Sequence, residues 1–140
     1  MHHLYQVQAT ALGGRNGSVA TSDGRHRFQL SEAAAEGVAP DSASPEQLLA
    51  AGYAACFLSA IRSAADEREI KLPTDGNVTV RIGLRRSVDG TGALDFDFDV
   101  GVDLPALPVE RAEELVAAAH QRCPFSRALA RMTPVATRCG

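Results

Sequence analysis

The chain carries three cysteines, and their surroundings decide whether any of them is placed to react. Cys56 lies in the apolar run PEQLLAAGYAACFLSAI, Cys123 precedes Pro124, and Cys139 stands one residue before the end. No two cysteines are spaced as CxxC, and there is no HExxH, Walker A or GxGxxG motif. Because the thiolate is the reactive form, a reactive cysteine needs a cation or a hydrogen-bond donor beside it.

Cys56 and Cys123 have different local surroundings. A lone cysteine in an apolar helix is most simply a buried residue, and burial raises the pKa of its thiol. Cys123 precedes a proline at an apparent helix start, where backbone N–H groups and the helix dipole favour an anion. Local physics therefore favours Cys123 as the thiol with the lower pKa. Two thiols on two helices of one small core could also meet and cycle between dithiol and disulfide.

Two charged side chains are candidate partners for Cys56. Glu46 stands ten residues before it, which is about 15 Å along an α-helix and roughly 80° around the axis. In one unbroken helix this carboxylate does not touch the thiol. Either the chain before residue 48 is looped, or Glu46 serves the Cys56 of a second subunit, or it compensates the helix dipole. Arg15, in the turn GGRNG, is most simply a solvated charge.

His120 lies three residues before Cys123 and is the remaining candidate for chemistry. It could polarise that thiol, although helix histidines are more often only packed or solvated. With Cys56 and Cys123 it could also supply a zinc site, but the three lack the short spacing typical of zinc ligands. A metal-binding or redox-sensing dimer using these three residues is therefore the alternative function.

The elements that carry these residues predict an α+β fold. Ser44 suits an N-cap and Pro45 a first helical position, so a long apolar helix runs from there to about Arg68. A second, amphipathic helix is predicted from Pro108 to Arg122, followed by a new helical turn at PFSRALARM. Short strands are predicted in the first 31 residues, long antiparallel strands at NVTVRIGL and ALDFDFDVGVDL, and an edge strand in TPVATRCG. We expect antiparallel sheets packed on the long central helix and the amphipathic helix.

Composition limits the class of protein. A chain of 140 residues with 45% hydrophobic and 22% charged residues is typical of a single globular domain, residues 1–140. A net charge of −3 with scattered basic residues gives no footprint for nucleic acid. We find no apolar h-region and no apolar run long enough to span a bilayer, so we expect a cytoplasmic protein with no membrane partner and no disulfide framework.

Three blocks resemble one known family. GGRNGSVATSDGR, SPEQLLAAGYAACFLSAI and AHQRCPFS are similar, in order and along essentially the whole length, to the organic hydroperoxide resistance (Ohr) proteins of the OsmC/Ohr superfamily. The resemblance implies an OsmC/Ohr-like fold, an intertwined homodimer and reduction of organic hydroperoxides in oxidative-stress defence. It also implies recycling by a dithiol reductant, a lipoyl group carried on a partner protein. No metal or organic prosthetic group is implied.

The resemblance also implies a role for each candidate residue. Cys56 matches the peroxidatic cysteine, Cys123 the resolving cysteine, Arg15 the arginine that supports the thiolate, and Glu46 the glutamate that holds this arginine. Whether Arg15 and Glu46 act on the Cys56 of the same or of the other subunit stays open, as does the role of Cys139. We expect the substrate, an alkyl or fatty-acid hydroperoxide, to contact apolar neighbours of Cys56, namely Leu48, Leu49, Tyr53 and Phe57.

Overall fold

The computed structural model describes residues 2–32, 41–130 and 135–139. The chain forms two compact units, Met1–Leu49 and Ala50–Gly140. The first unit contains a three-stranded antiparallel sheet in the order β1-β2-β3. Its strands are β1 (Ala9–Leu12), β2 (Ser18–Thr21) and β3 (Arg27–Gln29). Each lies inside a stretch that the sequence predicts as a strand, and that a single domain covers both units stays a prediction.

A short 3₁₀ turn, Gly14–Asn16, joins β1 to β2 and carries Arg15. Gly13 and Gly14 have φ angles of 79° and 71°, in the left-handed region that favours glycine. At Gly17 a Cβ atom would lie 1.8 Å from the carbonyl oxygen of Leu12, so no other residue fits there. The glycine-rich sequence therefore fixes a tight turn that presents one arginine.

Helix α1 (Pro45–Glu67) confirms the predicted long helix to within one residue at its C-terminal end. A capping box starts it: the N–H of Gln47 donates to Ser44 Oγ at 3.1 Å, and the N–H of Ser44 donates to Gln47 Oε1 at 2.8 Å. The helix is continuous from Pro45, so the chain before residue 48 is not looped and Glu46 lies in the first helical turn.

The same helix corrects one expectation about membranes. In the part of the chain that the structure describes, α1 is the one helix long and apolar enough to cross a bilayer, by length and composition alone. The expectation that no apolar run reaches that length was therefore wrong. Core helices of soluble proteins meet the same criterion, and α1 has a buried face formed by Tyr53, Phe57, Ala60, Ile61, Ala64 and Ala65.

The second unit has a mixed three-stranded sheet in the order β4-β5-β6. Its strands are β4 (Asn77–Arg86), β5 (Leu94–Asp103) and β6 (Val135–Cys139). The predicted antiparallel pair is confirmed, with Val80 opposite Val100 and Ile82 opposite Phe98. The predicted edge strand also forms, but it pairs with β5 in parallel, which the alternation of side chains does not reveal. The rest of the predicted tail, residues 133, 134 and 140, lies outside the described residues.

Two helices complete the second unit: α2 (Val109–Arg122) and α3 (Pro124–Leu129). The buried stripe of α2 is Ala112, Leu115, Val116 and Ala119. The apolar spacing of the sequence also predicts Val109 in this stripe, but Val109 is 62% exposed because it opens the first turn of the helix. Tyr53 lies at the centre of the aromatic core, 6.2, 6.1 and 5.7 Å between ring centroids from Phe57, Phe98 and Phe125.

Candidate functional site

The first unit contains a close ion pair between Arg15 and Glu46. The guanidinium Nη1 of Arg15 donates to Glu46 Oε1, with side chains that are 36% and 16% exposed. Burial disfavours the charge on Glu46, but the hydrogen bond and the charge of Arg15 outweigh it and hold the pKa of this carboxyl below its ordinary value. The pair therefore stays charged near neutral pH, with one guanidinium fixed by the first turn of α1.

A cavity of about 420 Å³ opens beside this pair within the first unit. Its lining is Ala11, Gly14, Arg15, Val19, Leu30, Pro45 and Leu48. Arg15 is the one charged residue in this lining, and the other six are apolar or glycine. An apolar chamber with a single cation at its wall suits a molecule with an apolar body and a polar end.

The two cysteines of interest meet in the second unit. Cys123 lies at the corner between α2 and α3: its N–H donates to Ala119 O at 2.8 Å, and its carbonyl accepts from the N–H of Arg127 at 3.0 Å. It is completely buried, whereas Cys56 on α1 is half-buried, and both are free thiols. The two thiols are close enough for Cys123 to act directly on the pKa of Cys56.

The surroundings of Cys56 within this unit hold its thiol in the neutral form. Burial raises its pKa most, and the hydrogen bond and charge of Cys123 raise it further. One interaction acts in the opposite direction, because the backbone N–H of Phe125 donates to the Cys56 sulfur and favours the thiolate. Among the residues of this unit that the structure describes, no basic side chain contributes to lowering this pKa. A reactive Cys56 therefore needs a cation from elsewhere.

A chain of hydrogen bonds lies behind the corner that carries Cys123. Tyr53 OH contacts Ser126 Oγ at 2.8 Å, Ser126 Oγ contacts His120 Nδ1 at 2.9 Å, and His120 Nε2 contacts Thr137 Oγ1 at 2.6 Å. Burial lowers the pKa of His120, and the ring of Phe57 packs on it at 4.7 Å between centroids. The imidazole is therefore neutral near pH 7.

The alternative zinc site does not form among the described residues. Both ring nitrogens of His120 already have hydroxyl partners. No three His, Cys, Asp or Glu side chains group closely enough to hold a metal ion in the described ranges 2–32, 41–130 and 135–139. His120 is thus bonded to hydroxyls that the sequence analysis did not single out, Ser126 and Thr137.

The apolar residues expected around the substrate divide into two groups. Leu48 lines the cavity beside Arg15, and Leu49 is half-buried on the next position of α1. Tyr53 and Phe57 are 0% exposed and belong to the aromatic core, and their contact with the substrate stays a prediction. Both aromatic residues belong to the apolar row of α1 that faces the sheet. Hydrophobic periodicity alone does not distinguish such a row from one that faces a pocket.

The third thiol, Cys139, lies on β6 and lines a separate cavity of about 220 Å³ in the second unit. Burial, with a smaller contribution from the charge of Glu113, raises its pKa. The thiol is therefore mostly protonated near neutral pH.

Comparison with known proteins gives a consistent family assignment. The model of the OsmC family, described as OsmC-like protein, matches residues 38–138. The organic hydroperoxide resistance protein of Xanthomonas axonopodis pv. citri is 36% identical over 126 residues, which is 89% of this chain and 87% of that protein.

Solved structures of such proteins have the same fold. The crystal structure of the organic hydroperoxide resistance protein OhrB of Bacillus subtilis superposes with a TM-score of 0.89 at 33% identity, covering 99% of this chain and 100% of that one. An organic hydroperoxide resistance protein OsmC from Legionella pneumophila gives a TM-score of 0.87 at 36% identity, covering 99% of each chain.

Proposed function

The chain belongs to the organic hydroperoxide resistance branch of the OsmC-like family, and we propose that it is a cysteine-based peroxidase that reduces organic hydroperoxides. Its biological role is defence against oxidative stress. The observation that carries the proposal is a neighbouring pair of free thiols: Cys56, half-buried on α1, and Cys123, fully buried at the corner between α2 and α3 and close enough to act on the pKa of Cys56. Such a pair needs only a two-electron oxidant to close.

The proposed reaction has two steps. The Cys56 thiolate attacks the outer oxygen of ROOH, the O–O bond breaks, and the alkoxide leaves as ROH after taking up a proton. Cys56 becomes a sulfenic acid. The Cys123 thiolate then attacks this sulfur, the S–O bond breaks, and hydroxide leaves as water. The two thiols have lost two electrons, ROOH has gained them, and the Cys56–Cys123 disulfide protects Cys56 from irreversible oxidation.

Arg15 is the proposed source of the cation that Cys56 lacks within its own unit. A guanidinium stays charged at any working pH, and Glu46 holds this one in place. Its charge would lower the pKa of Cys56 and stabilise the negative charge that develops on the peroxide oxygens. We propose that the protein acts as a homodimer. Arg15 then acts either on the Cys56 of its own chain or on the Cys56 of the second copy.

The cavity beside Arg15 supports an apolar substrate. Its apolar walls, with one cation, favour an alkyl or fatty-acid hydroperoxide over hydrogen peroxide, which has no apolar surface to bury. The chemistry requires no metal or organic prosthetic group, because the thiols themselves carry the electrons.

Turnover requires an external dithiol to reopen the disulfide by thiol–disulfide exchange. We propose a lipoyl group on a partner protein as this reductant, on the strength of the family resemblance. We propose the cytoplasm as the compartment of the protein.

A thiol count tests the function directly. Reduced protein receives one equivalent of tert-butyl hydroperoxide, and free thiols are then counted against time. We expect rapid loss of two thiols per chain, no fast reaction in Cys56→Ser, and consumption of one equivalent in Cys123→Ser, ending at sulfenic acid. If Cys56→Ser reacts as fast as the parent, Cys123 is the nucleophile. A redox sensor without turnover would lose two thiols once and not consume further peroxide when lipoamide and its reductase are supplied.

A further inference from the structure

Four side chains form one continuous hydrogen-bonded set, which we call the hydroxyl brace: Tyr53, Ser126, His120 and Thr137. They come from α1, α3, α2 and β6, so the brace connects these three helices to the parallel strand. Tyr53 is fully buried and Ser126 is 2% exposed. The assigned roles of the two cysteines leave this set unused.

The brace lies across the corner that holds Cys123. His120 is in the last turn of α2 and Ser126 is in the first turn of α3, with Cys123 between them. The 2.9 Å hydrogen bond between His120 Nδ1 and Ser126 Oγ therefore joins the two helices on either side of Cys123. It fixes the angle between the two helices, and with it the direction of the Cys123 side chain.

The same serine connects the corner to the helix of the other thiol. Tyr53 precedes Cys56 by three residues, and its hydroxyl contacts Ser126 Oγ at 2.8 Å. Residues three apart lie on neighbouring positions of a helix face. The stacking of Tyr53 on Phe125, 5.7 Å between ring centroids, joins the same two elements. The relative position of the two sulfurs thus depends on Ser126.

Each polar group of the brace has a partner, and the chain of bonds can run in one direction. The Tyr53 hydroxyl donates to Ser126, the Ser126 hydroxyl donates to Nδ1 of neutral His120, and the Nε2–H donates to Thr137. Buried hydroxyls add little to the free energy of unfolding compared with an apolar core of the same shape. Their hydrogen bonds are directional, however, and so fix the relative orientation of the elements that they join. Its position at the corner therefore points to orientation rather than bulk stability.

We propose that the hydroxyl brace, with His120 and Ser126 as positioning residues, sets the approach of Cys123 to Cys56 and so the effective concentration of one thiol toward the other. The inference rests on the proposed Cys56–Cys123 disulfide. It predicts that disulfide closure depends on the brace, whereas the first oxidation of Cys56 does not.

A redox titration in glutathione buffers measures this property without any peroxide. Two thiols and oxidised glutathione give the Cys56–Cys123 disulfide and two reduced glutathiones, so the equilibrium yields the effective concentration of the pair. All variants carry Cys139→Ser, which leaves only the two thiols of interest. We expect Ser126→Ala to lower the effective concentration about tenfold, because a buried partner of both His120 and Tyr53 is lost.

Two substitutions at one position form the matched control. In His120→Asn the amide lies near the position of Nδ1 and keeps a partner for Ser126, so the effective concentration should stay within about threefold of the parent. In His120→Gln the amide reaches the position of Nε2 and keeps Thr137, but the Ser126 hydroxyl loses its acceptor on α2 and retains only Tyr53, so a loss of about tenfold is expected. A residue that only stabilises the fold would lower the thermal midpoint in both variants without separating them in this titration.

The outcomes are decisive in either direction. The proposal is overturned if folded Ser126→Ala and His120→Gln keep the parent's effective concentration within twofold, or if the Asn and Gln variants lose it equally. If Ser126→Ala does not fold, the His120 pair decides, together with Tyr53→Phe, which keeps the ring and removes only one hydroxyl. Failure of the peroxidase function is distinguishable, because it would appear as slow thiol loss with tert-butyl hydroperoxide while the glutathione result stands.

Discussion

The Arg15–Glu46 pair of the first unit and the Cys56–Cys123 corner of the second differ most in charge. The pair is charged and accessible, with Arg15 36% exposed and next to an apolar cavity. The corner is neutral: burial raises the pKa of Cys56, and no basic side chain among residues 50–130 and 135–139 offsets this. The first region contains charge without a nucleophile, and the second contains nucleophiles without charge.

This difference teaches that neither region is a peroxidase site by itself. A buried neutral thiol resists adventitious oxidation, because its thiolate fraction is small. In the proposed mechanism, Cys56 becomes reactive only when the guanidinium of Arg15 lies beside it. The proposed site therefore depends on the first unit for its charge and on the second for its geometry.

The largest effect is expected when the positive charge of Arg15 is removed from the first unit. Arg15→Ala should slow the reaction of Cys56 with tert-butyl hydroperoxide roughly 100-fold, because an electrostatic donor to the transition state is lost. Stopped-flow thiol loss measures the rate. Arg25→Ala is the matched control, since it removes one exposed arginine from another turn of the same unit and should leave the rate unchanged. Equal rates in parent and Arg15→Ala would refute a role for this cation.

A smaller effect is expected when the cation stays but loses its partner. Glu46→Gln keeps a hydrogen-bond acceptor and removes the charge that holds Arg15, so the peroxide rate should fall about tenfold, to between the parent and Arg15→Ala. Glu32→Gln, an exposed carboxylate of the same unit, controls for the change in net charge. A Glu46→Gln variant slower than Arg15→Ala would contradict a role for Glu46 that acts through Arg15.

The smallest effect is on stability and has a defined sign with pH. The pKa of Glu46 is lower in the folded chain than its ordinary value of 4.5, so the folded state favours the charged carboxylate. Its contribution is fully present above about pH 4.5 and is lost as the pH falls through the lowered pKa. Urea unfolding at pH 7 and pH 3.5 should give a parent-to-Glu46→Gln difference below about 1 kcal/mol at pH 7, and less at pH 3.5. A larger difference at the acidic pH would have the wrong sign.

The sequence predicts the elements of this fold well, because their signals are local. Ser44 and Pro45 determine where α1 begins, and the alternation in ALDFDFDVGVDL determines β5. The parallel pairing of β6 is not predictable in this way, because the pattern of apolar and polar residues in a five-residue edge strand is the same for parallel and antiparallel pairing. Pairing between distant strands depends on the whole packed unit.

The candidate site was predicted in its residue types but not in its supporting contacts. Arg15, Glu46, Cys56 and Cys123 were identified from three blocks that resemble one family. The structure joins Arg15 to Glu46 in an ion pair, and it places Cys123 near enough to raise the pKa of Cys56. Tyr53 was expected at a pocket wall, yet it lies in the core with its hydroxyl on Ser126. A serine three residues after a cysteine gives no sign of its partner, because that contact joins positions 73 residues apart.

The most direct test of the account is the pKa of Cys56 with and without Arg15. The rate of iodoacetamide alkylation is measured against pH in a Cys123→Ser/Cys139→Ser protein, which leaves one thiol, and then in the same protein with Arg15→Ala. The account predicts an apparent pKa below about 8.5, the ordinary value for a thiol, when Arg15 is present. Without Arg15 it should rise by about one pH unit or more, to above the ordinary value. The same apparent pKa in both proteins would contradict the claim that the first unit supplies the charge for the thiol of the second.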